Sequence, residues 1–187
     1  MNVIGMIPHQ IITEHLVEEA KIVDDLVVPD IDRDLVKVAI IERHNASEPH
    51  SMGFVKGTGI KEGAMVSTIA HDSHNIVAVA TNDNDLIVAA VQLVRMQGGI
   101  AIVRDGKVLE ALPLPIAGLM SDQTIEHVSE KLIALKGAAK EIGSTLDEPF
   151  MAMAFLSLPV IPKLKITDLG LIDVDRFRRI GLFEVPE

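Results

Sequence analysis

Five consecutive residues, His71, Asp72, Ser73, His74 and Asn75, put two imidazoles, a carboxylate, a hydroxyl and an amide in one short turn between two apolar runs. Imidazoles beside a carboxylate can ligate a transition metal or meet the hydrogen-bonding edge of a substrate. The same residue types also build turns by bonding to their own backbone, so turn-making is the plain alternative. The His71/His74 spacing lacks the one-face geometry that a helix gives to H-E-x-x-H. Ser73 has no G-x-S-x-G around it and is a poor nucleophile. A second group, Glu42, Arg43 and His44, ends an apolar run, where a sheet would hold the backbone while a loop opens to solvent. Its plain alternative is an ion pair closing the sheet edge. Glu14–His15 has the same two readings, and His9, His50 and His127 have no evident partners. Gly53, Gly57, Gly59 and Gly63 match neither G-x-G-x-x-G nor G-x-x-x-x-G-K-[ST]. They are read as flexible backbone near Lys56 and Lys61 rather than as a phosphate cradle.

The elements that must position these residues follow from hydrophobic periodicity. Asn2–Ile7, Lys21–Val28 and Leu35–Glu42 read as strands, with one or two helical turns over Thr13–Ala20. Residues 45–63 read as loop with a short ordered piece. Ala64–Ile69 and Asn75–Ala80 are strands that bracket the histidine cluster. The Thr81–Asn82–Asp83 cluster caps a helix over about Asn84–Gln97, which Gly98 and Gly99 end. That helix is apolar enough to be covered on most sides. Ile100–Arg104 and Lys107–Leu112, joined by Asp105–Gly106, form the strongest hairpin signal. Ser121–Asp122 should cap a long helix whose stripe is Ile125, Val128, Leu132, Leu135, Ala139 and Ile142, stopped at Gly143. Phe150–Leu158 is a buried strand or short helix, and short strands follow near Lys163–Thr167 and Ile180–Val185. This order predicts an α+β fold, a mainly antiparallel or mixed sheet covered by helices. A complete TIM barrel needs a regular βα series and roughly 250 residues.

Composition narrows the chemistry. The 187 residues carry 17 basic and 27 acidic side chains, a formal charge of −10, with no Cys, Trp or Tyr. The missing Cys removes disulfides, thiolate metal sites and cysteine nucleophiles, and suits a cytoplasmic setting. It also excludes the zinc nucleobase deaminases that use P-C-x-x-C. An acidic chain poor in aromatics is not expected to bind nucleic acid. Mean hydropathy is +0.33, yet charges or prolines break every apolar run short of a membrane span. The start, MNVIGMIPHQ, has neither the basic lead nor the apolar core of a secretory signal. It reads like the interior of a longer chain.

Six segments together carry a resemblance: MIPHQIITEHLVEE, VAIIERH, GFVKGTGIKEGAMVSTIAHDSHNI, TNDNDL, GGIAIVRDGKVLEALPLPIAGLMS and PFMAMAFLSLPVIPKLKITDLGL. In this order, over nearly the whole chain, they resemble the C-terminal portion of bacterial and archaeal adenine deaminases of the amidohydrolase superfamily. The resemblance implies hydrolysis of adenine to hypoxanthine and ammonia by a metal-activated hydroxide. The binuclear manganese or iron centre of that family lies in a preceding TIM barrel with an H-x-H pair. This chain has no H-x-H, so none of the family's metal ligands transfers to it and no cofactor is expected in it. Residues 1–187 are therefore expected to be one accessory C-terminal domain, inactive alone. Its partner would be the barrel, in the same or a separate chain, with homo-oligomers possible. The His71–Asn75 loop is expected to face the barrel, with Glu42, Arg43 and His44 as secondary candidates. The alternatives are a small self-contained metal-dependent hydrolase built on that loop, or an oligomerisation module.

Overall fold

The computed structural model describes residues 1–45 and 50–183. Strand β1 (Asn2–Met6) pairs antiparallel with β2 (Thr13–Val17), from Asn2↔Val17 to Met6↔Thr13. The helical turns expected over Thr13–Ala20 are thus a strand. Local preference gives way because β1 supplies a ladder on one side, while Pro162 and Leu164 carbonyls accept the Thr13 N–H and hydroxyl on the other. The Lys21–Val28 run is two strands, β3 (Lys21–Val23) and β4 (Leu26–Val28), turned by left-handed Asp24 and Asp25. A 3₁₀ turn over Ile31–Arg33 leads into β5 (Leu35–Ile41).

Much of the expected loop over 45–63 is a strand, β6 (His50–Lys56); residues 46–49 lie outside the described residues. Next come β7 (Ala64–Ser67), β8 (Ile76–Ala80) and α1 (Asp83–Arg95). The hairpin β9 (Gly99–Arg104) and β10 (Lys107–Pro113) turns at Asp105–Gly106 as expected. Helix α2 (Ile125–Glu141) is capped by Thr124, whose hydroxyl accepts the His127 N–H, rather than by Ser121–Asp122. Helix α3 (Pro149–Ala154) resolves the strand-or-helix ambiguity. The chain continues through β11 (Leu164–Thr167), β12 (Gly170–Asp173) and β13 (Arg178–Ile180). The strand expected over Ile180–Val185 lies earlier and ends at Ile180, with 182–183 in a turn; 184 and 185 fall outside the described residues.

Eight strands form one open mixed sheet in the order β10-β9-β7-β8-β5-β6-β1-β2, all pairs antiparallel except β1 with β6. Alternation along the strands divides it into two apolar faces. Val38, Ile40, Met65, Val77, Val79, Ile100 and Ile102 point toward α2, α3 and the separate β11-β12-β13 sheet. Ala39, Ala64, Ala78, Ala80 and Ala101 point toward Leu86, Ala89 and Leu93 of α1. The fold is α+β, as predicted. The expectation that α1 is covered on most sides is corrected: Ile87, Val91 and Val94 are exposed. Helical spacing turns them away from the residues that take the sheet, and α1 spans only part of that face. Similarly, Ile125 drops out of the α2 stripe into solvent, while Leu135, Ala139 and Ile142 are buried.

Candidate functional site

Register brings the two candidate groups together. Strand β5 pairs with β8 through Ile41↔Ile76, so the residues after β5 and before β8 meet at one end of the sheet. Arg43 closes the junction: its Nε donates to the His74 carbonyl (2.6 Å) and its Nη2 to the Ala117 carbonyl (2.7 Å). His44 Nε2 lies 2.7 Å from the Ser73 carbonyl and donates to it. Glu42 turns back instead, its carboxylate accepting the His44 and Asn45 N–H groups. Arg43 thus clamps main-chain carbonyls of two loops. Such a clamp leaves little room for the 117–118 turn. A Cβ on Gly118, where φ is +74°, would lie 2.6 Å from Arg43 Nη2, so only glycine fits there.

Helix α3 positions the other side of the loop. The His71 N–H donates to the Ala154 carbonyl (2.9 Å), and Ser157 Oγ donates to the His71 carbonyl (3.0 Å). The His71 ring lies 5.0 Å from the Phe155 ring and meets His74 edge-on at 5.4 Å. His74 is held left-handed (φ 51°), and its Nδ1 accepts the Ala70 N–H at 3.3 Å. An accepting Nδ1 puts the proton of the neutral ring on Nε2. Burial, with help from His71 and Arg43, pulls the His74 pKa below the usual imidazole value, against the opposing Asp72 carboxylate. Asn75 is 2% exposed, and its Oδ1 is buried without a hydrogen-bond partner. An orphaned buried carbonyl costs about 1–3 kcal/mol until a donor reaches it. The loop therefore pairs an imidazole whose Nδ1 is taken by main chain with a sequence neighbour whose buried amide oxygen has no donor among the described residues. Asp72 and Ser73 are exposed at the tip. Ser73 meets His44 through its carbonyl and not its hydroxyl.

Among the described residues, no three His, Asp or Glu side chains converge on a point that could hold a metal ion. His74 Nδ1 and His44 Nε2 are both committed to main-chain groups, so this donor set does not fit a binuclear centre. The remaining candidates lie apart from the cluster. His15 bonds Asn2 Oδ1 at 2.9 Å, and exposed His9 lies 3.6 Å from Asp147. The glycine segment does cradle an anion, but an internal one: Gly57 and Gly59 N–H groups donate to the Asp34 carboxylate at 3.0 and 2.9 Å.

Three features escaped the sequence. Phe155 and Ser157 support the loop from a segment more than 80 positions away, with no local signal. A cleft of about 240 Å³ lies between the β1–β2 loop and α3, and Phe155 lines it too. Lys165 in β11 is fully buried, its Nζ donating to the Ile11 carbonyl at 2.9 Å, and burial pulls its pKa down to about 8. In the string LKIT, an alternating lysine reads as solvent-facing.

Residues 10–178 match the family model described as the adenine deaminase C-terminal domain. The chain is 52% identical over 178 residues to the adenine deaminase of Brucella anthropi, covering 95% of this chain and 32% of that protein. It is likewise 52% identical to the adenine deaminase of Brucella abortus, covering 31% of it. With adenine deaminase 1 of Rhizobium meliloti it shares 49% over 180 residues, 96% of this chain and 32% of that protein. The chain thus spans about a third of the length of these relatives.

Proposed function

The chain belongs to the adenine deaminase C-terminal domain family, and from that premise we propose that residues 1–187 act as one accessory domain of an enzyme that hydrolyses adenine to hypoxanthine and ammonia. The metal-activated hydroxide belongs to the catalytic portion of such an enzyme, with its manganese or iron. The donors in this chain do not assemble that centre, so no hydrolytic step is assigned to them. Their role is to present the His71–Asn75 loop, braced by Arg43 and His44, to the catalytic portion. The observation that carries this reading is the buried Asn75 Oδ1, unpartnered among the described residues, next in sequence to His74. Among the described residues it is an acceptor with no donor. A cytoplasmic setting goes with this reading; no described helix is long and apolar enough to cross a membrane.

The test uses full-length adenine deaminase carrying this domain. His74→Ala and Asp72→Asn should each lower kcat/KM for adenine by about tenfold, 1.4 kcal/mol of lost transition-state stabilisation. Thermal unfolding should be unchanged for Asp72→Asn, since that side chain is exposed. Unchanged turnover in both variants removes the loop from the function. Adenine turnover by the 187-residue chain alone, in the presence of manganese, would overturn the accessory role.

A further inference from the structure

We propose that the cleft between the β1–β2 loop and α3 seats an apolar, cation-flanked segment from the catalytic part of the same polypeptide. The proposal rests on the accessory-domain reading and names the surface through which it works. The lining includes Ile7 and Phe155, and the exposed side chains of His9 and Asp147 stand at the lip. Ile11 on one wall and Met151 on the other are 47% and 58% exposed. Ile12 and Val160 are also exposed, and the Thr13 N–H donates to the Pro162 carbonyl. A concave apolar surface of this kind, rimmed by polar groups, marks an interaction site.

Its wall is held in place. The β1–β2 loop is pinned by the Lys165 ammonium on the Ile11 carbonyl and by the Gln10 N–H on the Ile7 carbonyl. Burying an amine for one main-chain acceptor is costly, and a wall so anchored loses little entropy when something docks against it. Phe155 makes the cleft continuous with the His71 loop, since its ring lines the one and packs on the other. The lip carries the exposed Asp147 carboxylate on a chain of charge −10, which selects a cation beside the apolar anchor. Relatives contain roughly twice as much further polypeptide as this chain supplies, and that polypeptide is the occupant.

Because the chain has no cysteine, Met151→Cys and Ile11→Cys, made singly in full-length adenine deaminase, each give one thiol in this domain. Each is labelled with a bulky maleimide and quantified by peptide mass spectrometry against Glu126→Cys on α2. Protection of about tenfold or more is expected at 151 and 11, and adding Asp147→Lys should return position 151 toward the reference rate. Reference-like labelling at both positions in a natively folded protein overturns the proposal. So does protection that vanishes on dilution, which assigns the cleft to a second copy. An unchanged rate with Asp147→Lys overturns the cationic flank. Labelling is read without turnover, so a failure of the adenine assignment and a failure of the docking surface are seen separately.

Discussion

Arg43 organises the candidate site more than either histidine does. Its guanidinium spans two carbonyls, of His74 and Ala117, from two loops that are far apart in sequence. Lysine has no planar fork and cannot reproduce both contacts. Arg43→Lys should therefore cost about 1.5–3 kcal/mol, the range for a hydrogen bond to a charged group, read as a lower urea midpoint. His74 gives a prediction in pH. Burial first, then His71 and Arg43, hold its pKa below the ordinary value, so the folded chain prefers the neutral ring. As pH falls through about 6.5 the unfolded chain takes up the proton first. Stability from this group is whole above that pH and is lost below it, down to the folded pKa. Comparing urea midpoints at pH 7.5 and 5.5, the acid-side loss should be smaller in His74→Gln than in the parent. Both candidate groups were legible as residue types. Their meeting was not, because it depends on the Ile41↔Ile76 register between strands more than 30 positions apart.

At the scale of elements, the sequence reads best where signals are local. The Asp105–Gly106 turn and the Asn82 cap are both where expected, and the fold joins them through one side chain. Buried Asp85 donates its N–H to Asn82 Oδ1 (2.8 Å), while its carboxylate accepts the Gly106 N–H (2.7 Å). Strand β6 was missed because HSMGFVK holds a glycine, which weakens a strand reading. That glycine is where the second sheet comes down: a Cβ on Gly53 would lie 3.2 Å from Ile166 Cδ1 and 3.3 Å from Leu171 Cδ2. Lys165 on the same small sheet carries the element-scale prediction. With a folded pKa of about 8 against about 10.4 when unfolded, both states hold the proton below pH 8. Between 8 and 10.4 only the unfolded chain keeps it, so stability rises with pH across that window, by about 3 kcal/mol at most. Urea titrations at pH 8 and 10 should show that rise, and Lys165→Met should flatten it. A parallel rise in the variant would mean the amine reaches solvent.

On the scale of the whole molecule, one sheet serves as the wall of two cores. Larger β-branched residues and Met65 fill the side under α2, α3 and the small sheet, and alanines line the side under α1. The small side chains let α1 lie close, so its hold on the sheet comes from a few residues, chiefly Leu86, Ala89 and Leu93. The layered α+β arrangement was legible from the alternation, but the strand order was not. Nothing local says that β1 runs parallel beside β6, or that β7 lies between β8 and β9. That shared wall has a consequence for unfolding. Leu93 faces one core and Leu135 the other, and both are fully buried. Leu93→Ala and Leu135→Ala should each cost about 2–5 kcal/mol. Because neither core can open without exposing the common sheet, each should lower one and the same transition. Far-ultraviolet circular dichroism and hydrogen exchange at β8 amides, followed through urea, should give coincident midpoints in both variants. If Leu93→Ala released α1 at a lower urea concentration than the sheet, the α1 layer would be a separate cooperative unit. The cleft and the His71 loop, both on the α2–α3 side, would then keep their geometry with α1 detached.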